Sequence, residues 1–249
     1  MVKMHYVFLP LILLLPFSGI LADDEPKAAE KTGQESKTDF IKGMKEPEAF
    51  EALNDYIAKG NVERVTLILD VFPDLLKKKD KFERTPLFNA CYAGNIECVK
   101  LFLAKGADLK TPGPGGDLPL HRATESGHLE IVKLLLDKGA IRWAQNQKGE
   151  IALFKAVAFG HKDVVDYLIK KGDFINTVDK NNNTPLHKAA QHNSLEMVKY
   201  LVDKGAIVKA KNKAGKKAAD LTAKKEIKDY LNERDPEVPA DENKESEEK

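Results

Sequence analysis

The chain has 249 residues, 32% of them charged and 7% aromatic, with two cysteines and a formal net charge of +1. That length holds one sizeable domain. The near-neutral total gives no strong field for nucleic acid, and two cysteines among scattered histidines do not make a zinc pattern.

Residues 1–22 carry Lys3, an apolar run over 7–17 broken by Pro10 and Pro16, and a small residue before Asp23-Asp24-Glu25. This order reads as a secretory signal peptide. An uncleaved anchor is the weaker alternative, because the run is short of the roughly 20 apolar residues that a spanning helix needs. No later segment is apolar enough to span a membrane, so no span is expected after cleavage. Residues 23–47 are polar and poor in aromatics, and are expected to be a disordered linker.

From residue 48 to 232 the chain repeats with a period of 33. Pro86, Pro119, Ala152, Pro185 and Ala218 form one ladder. Gly94, Gly127, Gly160 and Asn193 form a second, and Gly106, Gly139, Gly172 and Gly205 a third. Within each period, apolar residues at helical spacing mark two short helices joined by a turn. Proline opens the first helix, where its missing N–H costs nothing, and glycine closes the second. The predicted units are an N-terminal cap over 48–80, repeats over 81–113, 114–146, 147–179 and 180–212, and a shortened C-terminal cap over 213–232. Charged residues on the front helix of the first unit (Glu46, Glu48, Glu51, Asp55) and lysines on the last suit caps that face water on one side. Residues 233–249 hold eight acidic residues against three basic ones and are expected to be a disordered acidic tail. The neutral total thus hides a repeat body of net charge +7.

Thr184-Pro185-Leu186-His187-Lys188-Ala189 has the signature T-P-L-H-x-A, and Leu118–Ala123 and Thr85–Ala90 each depart from it at one position. With the period of 33, this resembles the ankyrin-repeat family over 48–232. The resemblance implies an all-α repeat fold, an ankyrin solenoid of helix-turn-helix units with short β-hairpin-like finger loops. About four full repeats lie between capping repeats. It also implies a hydrogen-bonding role between repeats for His121 and His187, and a concave groove, made by the fingers and the exposed side of each first helix, that binds another protein.

No phosphate-binding loop, nucleophile elbow, metalloprotease helix or calcium loop is present. An enzyme finds no support, and no cofactor or metal is expected. The slot after the signature histidine holds Asn89, Arg122, Lys155 and Lys188, which predicts a row of three cations along the groove. One helical turn on stand Tyr92, Glu125, Phe159, Gln191 and His192, and Phe82 marks a finger tip. Tyr92, Arg122, Glu125, Lys155, Phe159, Lys188, Gln191, His192, Phe82 and Trp143 are the candidate partner-binding residues. After the closing glycine, Asp108 holds a slot that Ile141, Phe174 and Ile207 occupy in later repeats. Two readings stand: packing on neighbouring repeats, or an apolar ladder for self-association or a partner. Cys91 and Cys98 are read as buried thiols, with a disulfide allowed in an oxidising compartment.

The whole reads as an exported, periplasmic or secreted binding module. Exported ankyrin proteins of bacteria resemble it in layout, and some are associated with catalases and peroxide defence. A periplasmic catalase or another oxidative-stress enzyme is therefore the partner that the resemblance implies. A secreted effector that binds a host protein, and a haem or small-ligand carrier using His192, Tyr92 or a cysteine, are the alternatives.

Overall fold

The computed structural model describes residues 33–235, with side chains from Lys37 onward. The predicted leader, the first ten residues of the predicted linker and the tail beyond Asp235 lie outside the described residues. Contacts divide the chain between Phe40 and Ile41, and the second unit holds every repeat.

The helices of the described residues are α1 (Gly33–Lys42), α2 (Glu46–Lys59), α3 (Val62–Val71), α4 (Pro86–Ala93), α5 (Ile96–Ala104), α6 (Pro119–Glu125), α7 (Leu129–Asp137), α8 (Ala152–Phe159), α9 (Lys162–Lys170), α10 (Pro185–Gln191), α11 (Leu195–Asp203) and α12 (Lys225–Asn232). One expectation needs correcting. The stretch 23–47 is not a linker throughout, because 33–42 are helical and α2 begins at Glu46, ahead of position 48. Ile41 explains the difference: a single apolar residue in a polar stretch, it is buried in the core, with Met44 packed alongside.

The first helices α4, α6, α8 and α10 begin at Pro86, Pro119, Ala152 and Pro185. Thr85 Oγ1 accepts from Phe88 N at 3.2 Å, capping α4 ahead of Pro86. α2, α4, α6, α8 and α10 pack in that order, and α10 packs on the 3-10 turn Ala218–Leu221. Close approach is possible because Ala90, Ala123, Ala156 and Ala189 stand at the contact, all fully buried. α3, α5, α7 and α9 form the second row, and α11 meets α12. Their apolar stripes fill the core between the rows, as with Ile131, Val132 and Leu135 of α7. Ile227 and Leu231 of α12 bury the last open edge.

The fingers are closed by one hydrogen bond that repeats along the chain. Asp80 N bonds Arg84 O, Gly113 N bonds Asp117 O, Asn146 N bonds Glu150 O, Asp179 N bonds Asn183 O and Asn212 N bonds Lys216 O. In four of these, the opening residue also accepts backbone N–H groups of its own finger through Oδ1, an Asx turn. Successive fingers join through Gln147 N to Gly115 O, Lys180 N to Lys148 O and Lys213 N to Asn181 O. The loops are hairpin-like, yet no segment of the described residues forms a strand.

Candidate functional site

The histidines separate into two kinds. His121 Nδ1 accepts from Leu118 N at 3.1 Å, so Nε2 carries the proton and donates to Glu150 O at 3.0 Å in the next repeat. His187 repeats this with Thr184 N and Lys216 O. Burial holds both imidazoles below their ordinary pKa, which favours the neutral form that this pattern requires. His128 and His161 reach back to Tyr92 O and Glu125 O of the preceding repeats. These four belong to the stack. Their approach explains the turn glycines: a Cβ on Gly127 would lie 2.4 Å from His161 Nδ1. His192, the remaining histidine of the described residues, is exposed and faces Phe159, with ring centroids 6.2 Å apart.

The predicted row of cations is present in register, but it is not a free cationic groove. Arg122, Lys155 and Lys188 each expose less than a fifth of the side chain. Arg122 pairs with Glu125 at 2.6 Å. Lys155 pairs with Asp117 at 2.7 Å and Glu125 at 3.2 Å. Lys188 pairs with Glu150 at 2.5 Å. Asp117 and Glu150 are themselves one period apart, so the fingers supply an acidic row that interleaves with the cations. Burial alone would lower the Lys155 pKa, but Asp117 and Glu125 outweigh it and hold the ammonium above its ordinary range. Burial would likewise raise Glu150, and Lys188, Asn146 and Lys155 hold it low. Asn89, the neutral member of the row, accepts no cation's role and bonds Asn54 at 2.9 Å.

What this face leaves exposed is aromatic and polar. Tyr92 stands in the open under the Arg122 guanidinium, 4.5 Å from its ring centre, with Phe88 at 5.4 Å beneath. Phe159 and His192 form a second exposed pair, and Gln191 is exposed beside them. At the first finger Phe82 lies open between Lys81 and Arg84. Exposed lysines occur at the finger tips instead of the helix slots: Lys81, Lys148, Lys180 and Lys213.

Trp143 belongs elsewhere. It joins Ile141, Arg142, Leu136, Ala140 and Lys171 around a cavity of about 400 Å³ at the C-terminal end of α7. Ile141, Phe174 and Ile207 are all exposed, so they are not buried between neighbouring repeats. Cys91 and Cys98 are free and buried. Burial drives both thiols upward, Cys98 to about 11 with help from Glu97. Among the described residues no group of three or more His, Cys, Asp or Glu is placed to hold a metal ion. No helix there is long and apolar enough to cross a membrane.

A family model described as ankyrin repeats, three copies, matches residues 53–143 and 140–212. No curated protein is similar to the chain at a significant level.

Proposed function

Because the chain belongs to the ankyrin-repeat family, we propose that it is a scaffold that binds a partner protein through the face built by its first helices and fingers. The exposure of Tyr92, Phe159 and His192 carries this reading. The neighbouring slots on that face are occupied by residues that the stack needs, paired or bonded across repeats. Tyr92 and Phe159 instead present large apolar rings to water, as anchors of an interface do. The interleaved ion pairs set the register between them without attracting a highly charged ligand. The lysines at the finger tips favour a partner with apolar contacts at its centre and carboxylates at one edge.

The export pattern at 1–22 supports a periplasmic or secreted location. Fractionation of cells producing the full chain tests it: recovery in the periplasm or medium, with a shortened N-terminus, is the expected result. On layout, a periplasmic catalase or another oxidative-stress enzyme is the first partner to test. Titration of purified catalase into the protein should give saturable binding that Phe159→Ala weakens, and no heat or shift at micromolar concentration would remove catalase as the partner.

A further inference from the structure

We propose that the ladder at the C-terminal ends of α7, α9 and α11 docks on an anionic lipid surface, separately from the partner-binding face. Four side chains carry it. Phe174 is 81% exposed, Trp143 66%, Ile207 47% and Ile141 40%. Their exposure has a visible cost to the fold. In the first full repeat the ladder slot holds Asp108, whose carboxylate accepts from Lys110 N at 2.9 Å and Thr111 Oγ1 at 2.8 Å. Ile141, Phe174 and Ile207 give up that turn bond. Trp143 occupies the slot of Asn176, which ties its repeat to the next by donating to Gly205 O and accepting from Ile207 N. At Trp143 the tie passes to Arg142, which bonds Lys171 O and pairs with Asp173 at 2.5 Å. The indole makes no such tie and stays exposed, with the Arg142 guanidinium 5.1 Å from its ring centre.

The charges beside the ladder select the occupant. Lys138, Lys171 and Lys204 sit one period apart as the residues that cap α7, α9 and α11 just past their last turns, and all are exposed, Lys204 with Asp166 3.3 Å away. Across 137–143, 170–178 and 203–211 there are seven cationic residues against three acidic ones. A second copy docked on this edge by a two-fold axis would bring these lysines against each other. A protein partner would need a pocket for a Phe174 ring that stands almost wholly clear of its own chain. A bilayer needs none. Trp at headgroup depth, apolar tips below it and lysines reaching back to lipid phosphate match an anionic interface.

Trp143 is the single tryptophan of the chain and reports on this site directly. The full chain is mixed with phosphatidylcholine vesicles, with and without phosphatidylglycerol, and with brominated acyl chains as quencher. The expected result is a blue-shifted, quenched Trp143 emission with phosphatidylglycerol only. Phe174→Ser with Ile207→Ser should abolish it, and Lys138→Glu with Lys171→Glu and Lys204→Glu should weaken binding on the order of a hundredfold or more. Unfolding midpoints of the variants check that the fold survives. Unshifted Trp143 emission overturns the proposal, even if the protein sediments with vesicles through another segment. So does a shift that depends on protein concentration without vesicles, which would assign the ladder to a second copy, or a shift seen with an acidic peptide and not with vesicles.

Discussion

Arg142 of one repeat holds Asp173 of the next, with Nε 2.5 Å from Oδ1 of a carboxylate that is almost wholly buried. Asp173 stands where the other repeats have Ala107, Ala140 and Ala206. Its Oδ2 has no hydrogen-bond partner. Burial pushes the carboxyl up to about 6, and Arg142 offsets only part of this. A raised folded pKa means that the folded protein holds the proton more tightly. The stabilisation is therefore full at pH values below the ordinary 3.8 and is lost as pH rises through 6. Asp173→Ala removes this pH-dependent contribution, so the stability of the variant relative to the natural protein should fall by on the order of 2 kcal/mol between pH 7 and pH 4. Urea denaturation of both proteins at the two pH values checks it, and a constant difference would contradict it. The comparison is needed because Glu150 and Asp80, whose carboxyls are held low, contribute with the opposite sign.

The finger position at Glu83, Gly116, Gly149, Asn182 and Gly215 has a left-handed backbone throughout. Glycine adopts it without steric cost, and glutamate does not. Glu83→Gly should stabilise by about 0.5–1 kcal/mol, since the exposed ion pair with Lys79 that it removes contributes little. Gly149→Ala should cost more than about 1 kcal/mol. Its Cβ would lie 2.7 Å from Lys180 N, the group that joins two fingers by bonding Lys148 O. Thermal unfolding of the pair reads both signs.

His121→Ala should destabilise by about 1–3 kcal/mol, because it leaves Leu118 N without its partner and removes one of the two donors to the buried Glu150 O, the other being Asn146 N. His192→Ala, on the exposed face, should change stability by less than about 0.5 kcal/mol. Equal effects in urea denaturation would contradict the division of the histidines into stack and surface.

Cys91 and Cys98 should resist a thiol reagent in the folded protein without reductant, and two thiols should react once it is unfolded. Fast labelling of the native protein would contradict their burial.

The repeat was legible because its residues act within one period: Pro185 opens a helix, Ala189 permits contact, and Gly205 ends the unit wherever they stand. The first-helix face was legible only in register. Arg122 has its partner, Glu125, one helical turn on, but Lys155 and Lys188 appeared as free cations because their finger partners lie elsewhere in sequence. Asp117 is 38 residues before Lys155, and Glu150 is 38 before Lys188. The regular spacing of Asp117 and Glu150 at the fingers was the available signal. Helix 33–42 was hidden in a polar stretch because one buried residue, Ile41, anchors its end. The Arg142–Asp173 pair was missed because it breaks the repeat pattern on both sides.

The scaffold reading stands on the exposed aromatics of the first-helix face. Reversing Arg122, Lys155 and Lys188 would disturb buried ion pairs, so Tyr92→Ala with Phe159→Ala is the better probe. The most direct measurement is affinity capture from a native extract with the natural chain and this double variant, after equal unfolding midpoints have been verified. A protein retained by the natural chain, lost with the variant and rebound by the natural chain after purification is the predicted result. Equal retention by both proteins, or no retained protein at all, would contradict binding through this face.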